Sequence, residues 1–428
     1  MNNVLKVGVA GLGTVGGGVV KIIHDNAAVI KARCGKEIIL CAVADLDKSK
    51  KETLPLDNAV WYDDALDMAV NSDADVIVEL IGGSDGIAKK LCETSLLNHK
   101  HIVTANKALL ANYGNELFAL AKENKCQIAF EASVAGGIPV IKALREGLAA
   151  NKIDYVYGIM NGTCNYILST MRDTGKSFDD VLAEAQKLGY AEADPKFDVE
   201  GIDTAHKTAI LASLAFDMPI SFKNVYIEGI RHITPEDIKY ADELGYRIKL
   251  LGIARKSAKG VEQRVHPCMI GASEAISNVE GVFNAVVING DYVGRTVLEG
   301  RGAGEKPTAS AVMSDIIDLA SNQNSALKNL TTTNNPETIA MGDLEAAFYV
   351  RLTVIDLPGV IADVAAILKK YNISIENILQ RNHKKGEKVT IVMTFHQAKE
   401  ANVQEALVAI EKLESVVENP CMIRITNF

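Results

Sequence analysis

The stretch Tyr190–Lys207, YAEADPKFDVEGIDTAHK, sets Glu192, Asp194, Asp198, Glu200, Asp203 and Lys207 within eighteen residues. It runs directly into TAILASLAF, which is apolar or small nearly all round. A helix apolar on every side is normally buried. Asp203 and Lys207 stand four apart on one helical face, and that face continues into Ile210 and Leu214. A carboxylate and an ammonium on a stripe that enters the core suit ligand binding or proton exchange better than solvation. The plainer alternative is a capped helix start, with Asp198 as N-cap and acidic residues on the positive helix end. His206, next to Lys207, points to another face and reads as structural.

What must position these groups is visible from the first residues onward. LKVGVAG reads as a buried strand, followed by Gly11-Leu12-Gly13-Thr14-Val15-Gly16 and then GGVVKIIHD as a helix. Strand, GxGxxG, helix is the dinucleotide fingerprint in its required context, because glycines allow a tight turn and close approach of a pyrophosphate to a helix N-terminus. The next strand, EIILCAVAD, ends in Asp45, where a carboxylate meets the adenosine ribose. That favours NAD, but Lys48, Lys50 and Lys51 follow and can accept a 2′-phosphate, so NADP stays open. Strands are expected at 74–83 and 101–111, the second placing Lys107 at the sheet edge where ligands bind in open α/β folds. CQIAFEASVAGGIPVI closes this region, with Gly136, Gly137 and Pro139 marking a reversal.

From about 140 to 300 the pattern becomes mixed strand and helix, an α+β arrangement. The glycine-rich GRGAGEKPTA then precedes a long amphipathic helix, and such glycines let a backbone approach a neighbour closely. Residues 321–347 are rich in Asn, Thr and Ser and read as a linker. Beyond them the order is βαββαβ, a two-layer unit with helices on one face.

Composition narrows the classes. A chain of 428 residues implies about three domains. An apolar fraction of 48% with 23% charged is globular, and the net charge of −9 disfavours nucleic acid. No apolar run is long enough for a bilayer, and the N-terminus enters a strand without a signal pattern, so a cytoplasmic protein is expected. Seven cysteines without a CxxC pair suggest neither disulfides nor zinc.

GLGTVG, TANKALLA, EASVAGGIPVI, NGTCNYIL, LGYAEADPKFDVEGIDTAHK and GRGAGEKPTA, in this order and spacing, resemble homoserine dehydrogenases. FYVRLTVIDLPGVIADVA resembles the start of an ACT domain, a small amino-acid-sensing module. The resemblance covers nearly the whole chain. It implies an α/β chain with a Rossmann-type dinucleotide-binding domain at 1–135, with helix 305–320 packing back onto it. A substrate and dimerisation domain follows at 136–304, then the linker and a regulatory ACT domain at 348–428. The implied reaction is reversible oxidation of L-homoserine to L-aspartate 4-semialdehyde with NAD(P), on the route to threonine and methionine.

By motif, Gly11, Gly13, Thr14, Val15, Gly16 and Lys107 would contact the cofactor, with Gly302 and Gly304 near its nicotinamide end. Gly162, Thr163, Tyr190, Glu192, Asp198 and Asp203 would hold substrate; Lys207 would exchange the proton on the reacting oxygen, with Asp203 and Lys107 completing the catalytic set. A monovalent cation, usually sodium, would sit on the carbonyls of Glu131, Val134, Gly136 and Ile138. Independently of the resemblance, the residue types suit the reaction. A substrate ammonium calls for carboxylates such as Glu192 or Asp198. A lysine whose pKa is lowered by burial and opposed by a carboxylate one turn away can give and take a proton.

Cys164 stands where many relatives carry threonine, which raises a rival: a thiolate-dependent semialdehyde dehydrogenase. A second rival is a noncatalytic nucleotide-binding amino-acid sensor. In the C-terminal unit, the turn around Leu357 and Gly359 offers free N–H groups to a carboxylate. Asn377 and Gln380 lie on the following strand, and the resemblance points to threonine as effector between paired modules. A homodimer or homotetramer is expected.

Overall fold

A computed structural model describes residues 3–321, 334–381 and 386–426. Its first sheet is parallel. Val-rich β1 (Val4–Ala10) pairs with β2 (Glu37–Ala44) on one side and β4 (Val76–Glu79) on the other. β3 (Val60–Tyr62), β5 (His101–Thr104) and β6 (Ile128–Ala129) complete the order β3-β2-β1-β4-β5-β6. The order reverses between β1 and β4. That switch point opens a crevice at the strands' carboxyl ends, where doubly wound sheets bind ligands. Helix α1 (Thr14–Asp25) springs from the glycine loop after β1, and α2 (Lys107–Glu123) follows β5. The sequence expectation of a strand over 101–111 is therefore shortened: the strand stops at Thr104, and Asn106 caps α2 by accepting from Leu109 N at 3.0 Å.

Among the described residues the second sheet has ten strands. From the middle of the chain come β7 (Ile153–Ile159), β8 (Tyr226–Ile227), β9 (Tyr246–Ser257), β10 (Gly260–Gly271), β11 (Phe283–Gly290) and β12 (Gly294–Arg301). Helices α3 (Gly162–Thr174), α4 (Ile202–Phe216) and α5 (Pro235–Glu243) are threaded among them. Helix α4 is buried along almost its whole length, as its all-round apolar character requires. Helix α6 (Glu305–Ala320) returns to the first sheet: a Cβ on Gly18 of α1 would come within 2.9 Å of Glu305 and 3.0 Å of Ala309.

The expected linker, 321–347, lies partly outside the described residues, at 322–333. Its remainder is ordered. Thr338 bridges Val261 of β10, and β13 (Glu345–Ile355) begins before the expected boundary at 348. The βαββαβ unit then consists of β13, α7 (Val360–Lys370), β14 (Ile375–Gln380), β15 (Lys388–Lys399), α8 (Glu400–Glu411) and β16 (Cys421–Thr426). This unit is not a separate sheet. β16 pairs in parallel with β10 through Cys268–Ile270 opposite Arg424–Thr426, so both units share one sheet, β12-β11-β7-β9-β10-β16-β13-β15-β14. Among the described residues no helix is long and apolar enough to cross a membrane.

Candidate active site

The glycine loop has three different steric jobs. Gly11, at φ +89°, turns so tightly that a Cβ would lie 2.5 Å from the Leu80 carbonyl oxygen. A Cβ on Gly16 would collide with the Gly11 carbonyl, so only glycine lets α1 start there. Gly13 meets nothing within 4 Å, which leaves open space in front of the N-terminus of α1. Two crowded glycines and one open one are what a cradle for a pyrophosphate needs. Thr14 and Val15 form the first turn of α1.

Asp45 faces this loop, but its oxygens already accept from the backbone N–H groups of Leu12 and Asp47. It shapes the turn first, and its remaining lone pairs alone are free for a ribose. The lysines beyond it also have partners: Lys48 pairs with Asp63 at 2.8 Å, Lys50 with Asp47 at 3.6 Å, and Lys51 lies 4.7 Å from the Trp61 ring centroid.

Opposite the glycine loop lies a cavity of about 620 Å³ between the two sheets. Its lining includes Gly162, Thr163, Tyr190, Glu192, Asp198, Asp203 and Lys207, together with Val15, Lys107, Gly136, Gly302 and Gly304. Residues separated by almost 300 positions therefore meet in one space. Gly11, Gly13, Thr14, Gly16 and Asp45 are not in that lining; they flank the mouth of α1 instead.

Lys207 is buried, and its Nζ donates to the Met160 carbonyl at 2.6 Å and to Asp203 Oδ2 at 2.8 Å. Lys107 Nζ reaches Asp203 Oδ1 at 3.2 Å. One carboxylate thus holds two ammonium groups from two domains. Burial pushes the Lys207 amine below the ordinary lysine range, and Asp203 resists that shift. Burial would raise the Asp203 carboxyl, but Lys207 and Lys107 more than reverse this and hold it well below the usual carboxylate range. For Asp198 burial wins, followed by repulsion from Asp203, and its carboxyl is raised.

The alternative of Asp198 as helix N-cap is not what forms. A short helix, Lys196–Val199, precedes α4, whose N-cap is Gly201 at φ +85° without any side-chain cap. Asp198 is instead held by Asn161, a residue that sequence reasoning missed. The Asn161 amide donates to Asp198 Oδ1 at 2.7 Å and Asp203 Oδ2 at 2.8 Å, while its own oxygen caps α3 by accepting from Cys164 N at 2.8 Å. The only signal was an Asn before a helix start, which is ordinary capping chemistry. Thr163 Oγ1 donates to the Tyr190 carbonyl at 2.6 Å, tying the loop carrying Tyr190 and Glu192 to α3.

His206 packs between the rings of Phe197 and Phe222, and burial holds its pKa down at about 4. Cys164 is fully buried, its thiol donates to the Asp198 carbonyl at 3.3 Å, and burial raises it well above the ordinary thiol range. A thiol so placed is not a nucleophile, which disfavours the thiolate rival.

The EASVAGGIP loop lies against the Arg301–Gly304 turn: Gly137 N donates to the Arg301 carbonyl at 3.0 Å, and a Cβ on Gly136 would collide with the Gly302 carbonyl. The Glu131 carboxyl turns away to accept from Ile141 N at 2.9 Å and Lys142 N at 2.8 Å, and burial raises it to about 7. Among the described residues no three His, Cys, Asp or Glu side chains are arranged to hold a metal. A cation here would rest on main-chain oxygens, and Ala135 (φ 56°) and Gly136 (φ 49°), both left-handed, bend the loop sharply between Val134 and Ile138.

In the C-terminal unit, Gly359 is the N-cap of α7 at φ +100° and Leu357 is exposed beside it. Asn377 donates to Thr394 Oγ1 at 2.9 Å, and Gln380 ends β14.

The family described as Homoserine dehydrogenase, NAD binding domain, matches residues 11–131; Homoserine dehydrogenase matches 139–317; and the ACT domain matches 348–415. A homoserine dehydrogenase of Neisseria gonorrhoeae is 47% identical over 98% of both chains, and that of Helicobacter pylori 43% over 100% of both. The crystal structure of a homoserine dehydrogenase from Thiobacillus denitrificans superposes with a TM-score of 0.94 at 45% identity, covering 99% of this chain and 98% of that one. A hyperthermophilic archaeal homoserine dehydrogenase in complex with NADPH superposes at 0.63 and 28% identity, covering 76% of this chain and 99% of that one. This chain belongs to the homoserine dehydrogenase family, and carries the family's NAD-binding domain together with a C-terminal ACT domain.

Proposed function

We propose that the chain interconverts L-homoserine and L-aspartate 4-semialdehyde with NAD(P), with Lys207 exchanging the proton on the reacting oxygen. The observation that carries this reading is the placement of the buried Lys207 amine, held by Met160 and Asp203, in the cavity that also reaches Val15, Gly302 and Gly304. The substrate ammonium is taken by Glu192 and Asp198, with Gly162, Thr163 and Tyr190 shaping that end. Its hydroxyl lies towards Lys207, which accepts the proton as neutral amine during oxidation and returns it as ammonium during reduction. When bound, the nicotinamide supplies the hydride acceptor or donor. Asp203 and Lys107 hold the amine in register, and Lys107 also meets the cofactor. The open space at Gly13 fits a pyrophosphate, with Gly11, Thr14, Val15 and Gly16 forming its cradle.

The same reading includes a monovalent cation, sodium by family analogy, on the carbonyls of Glu131, Val134, Gly136 and Ile138, where hard oxygen ligands suit it. It assigns 1–135 to cofactor binding, 136–304 to substrate and dimerisation, 321–347 to a linker and 348–428 to regulation. Threonine would act at Leu357, Gly359, Asn377 and Gln380. A homodimer or homotetramer in the cytoplasm, serving threonine and methionine synthesis, completes it. Both NAD and NADP remain candidates; the archaeal relative with NADPH supports the latter.

The test is the near-ultraviolet absorbance of reduced nicotinamide after adding homoserine to enzyme with NAD+ or NADP+. A homoserine-dependent rise is expected. Cofactor binding without that rise would favour the noncatalytic sensor.

A further inference from the structure

Two arginines of the ACT unit are buried in the catalytic unit's charges. Arg424 on β16 donates to Glu228 Oε2 at 2.5 Å and to both oxygens of Glu400 on α8, at 2.5 and 3.1 Å. Tyr226 adds its hydroxyl to the same Glu228 oxygen at 2.9 Å. On the neighbouring strand β13, Arg351 grips Asp237 with two bonds, of 2.6 and 3.1 Å, and the Tyr349 hydroxyl supplies a third at 3.1 Å. Asp237 is fully buried and closes the capping box of α5 with Thr234. Segment 228–237 of the catalytic unit is thus pinned near both ends by the ACT unit.

The middle of that segment is seated on the substrate side. Ile230 N donates to the Val199 carbonyl at 2.9 Å, and Arg231 reaches Glu200 Oε1 at 2.5 Å. Gly229 is pressed so closely that a Cβ would lie 2.6 Å from Glu200 Cα and would collide with the Val199 carbonyl. Val199 is fully buried, and the residue before it is Asp198. Gly201 N, at the start of α4, donates to the Asp198 carbonyl at 2.9 Å, so the turn that presents Asp198 also launches the helix carrying Asp203 and Lys207.

We propose that segment 228–237 is a strap through which the ACT unit sets the position of Asp198, making Glu228 and Arg424 positioning residues for the amino-acid end of the substrate site. The proposal rests on the reading of Asp198 as a substrate-binding carboxylate. Close packing transmits small displacements because a filled interior has few voids to absorb them. A change in the ACT unit that tilts β16 or β13 moves one end of the strap. The tight seat at Gly229 passes that motion to residues 198–200. An arginine is suited to the pinning role, since its planar fork fixes two carboxylates at once where a lysine offers a point charge.

The experiment compares full-length Glu228→Gln, Arg424→Lys and Val364→Ala. Val364 is buried on α7 in the apolar core of the ACT unit, a cluster that contains no residue of 228–237, so its truncation reports loss of stability alone. Expected for the first two is a homoserine KM raised about 2- to 30-fold, the range over which mutations in coupled networks act. The KM for NAD(P)+ should stay within about twofold, since the glycine loop is not touched. Backbone amides of 196–201 should exchange with deuterium faster than in wild type. Val364→Ala should lower Tm without either change. If Arg424→Lys fails to fold, Glu228→Gln alone carries the comparison. The strap is refuted if Glu228→Gln leaves both homoserine KM and exchange at 196–201 as in wild type, or if Val364→Ala alters them equally. Wild-type protein with no homoserine turnover would refute the proposed function instead, and the exchange measurement would still decide the strap.

Discussion

Replacing Lys207 with alanine removes an ammonium that donates to the Met160 carbonyl and to Asp203 in a buried site. Two effects separate cleanly. For catalysis, loss of a positioned acid–base group costs about 10²- to 10⁴-fold in kcat. At about 1.36 kcal/mol per tenfold, that raises the barrier by about 2.7 to 5.4 kcal/mol. For stability the loss is smaller. Asp203 keeps Lys107 at 3.2 Å and Asn161 at 2.8 Å, so it is not stripped of partners. Only the Met160 carbonyl is orphaned, at about 1 to 3 kcal/mol, partly offset because a buried ammonium no longer needs desolvating.

Steady-state kinetics and thermal melting on the same preparation measure both quantities. The pH profile adds a check with a definite sign. Oxidation needs the neutral amine, so kcat rises with pH through the Lys207 pKa, which burial sets below the ordinary lysine value. Asp203→Asn removes the carboxylate that resists this shift, so the rising limb should move to lower pH. A Lys207→Ala enzyme retaining kcat within about threefold of wild type would refute the acid–base role, because that is far below the contribution of such a group.

Asn161 can be separated into its two jobs by choice of substitution. Asn161→Ser keeps an oxygen to cap α3 but loses the amide held between Asp198 and Asp203, so homoserine KM should rise while Tm stays near wild type. Asn161→Ala should lose both, with about 0.5 to 2 kcal/mol of stability read from denaturant melts. The second and third glycines of the loop should behave oppositely. Gly13→Ala has space for its methyl and should weaken NAD(P)H binding, measured by nicotinamide fluorescence, without loss of stability. Gly16→Ala collides with the Gly11 carbonyl and should lower Tm. Cys164→Ser should retain turnover, since the thiol is buried and held protonated; abolished activity in a folded variant would reopen the thiolate rival.

What the sequence revealed follows from the range of the interactions involved. The glycine loop and the Asp203–Lys207 pair are local: their spacing is the geometry of one turn or one helix face. So is the βαββαβ order, which chain-ordered patterns announce. Asp45 shows the boundary of this kind of reasoning. Its place at the end of β2 was legible, but the two backbone N–H groups that occupy it belong to the loop's folded shape. The contact of Lys107 with Asp203 joins positions 96 apart, across two sheets, and no periodicity encodes it. The role of Asn161 was hidden because the same side chain satisfies an ordinary cap, leaving nothing unusual in its type or position.

The pairing of β10 with β16 is the hardest of all to foresee. A strand edge bonds through backbone groups that every residue carries, so nothing in the side-chain pattern of either strand names its partner. Arg351 and Arg424 show what that pairing entails. Polar residues in strands of a small sensing module read as solvent-facing, yet both are buried, because the neighbouring unit brings Asp237 and Glu228 to meet them. Arg424 keeps Glu400 of its own unit, whereas Arg351 stripped of Asp237 would be a buried charge costing several kcal/mol. Arg351 therefore makes little physical sense in an ACT unit folded alone, and full sense in a sheet shared with the catalytic unit, while Arg424 joins one carboxylate from each unit. The same bonds that let the regulatory unit fold in place bind it to the segment seated against Asp198.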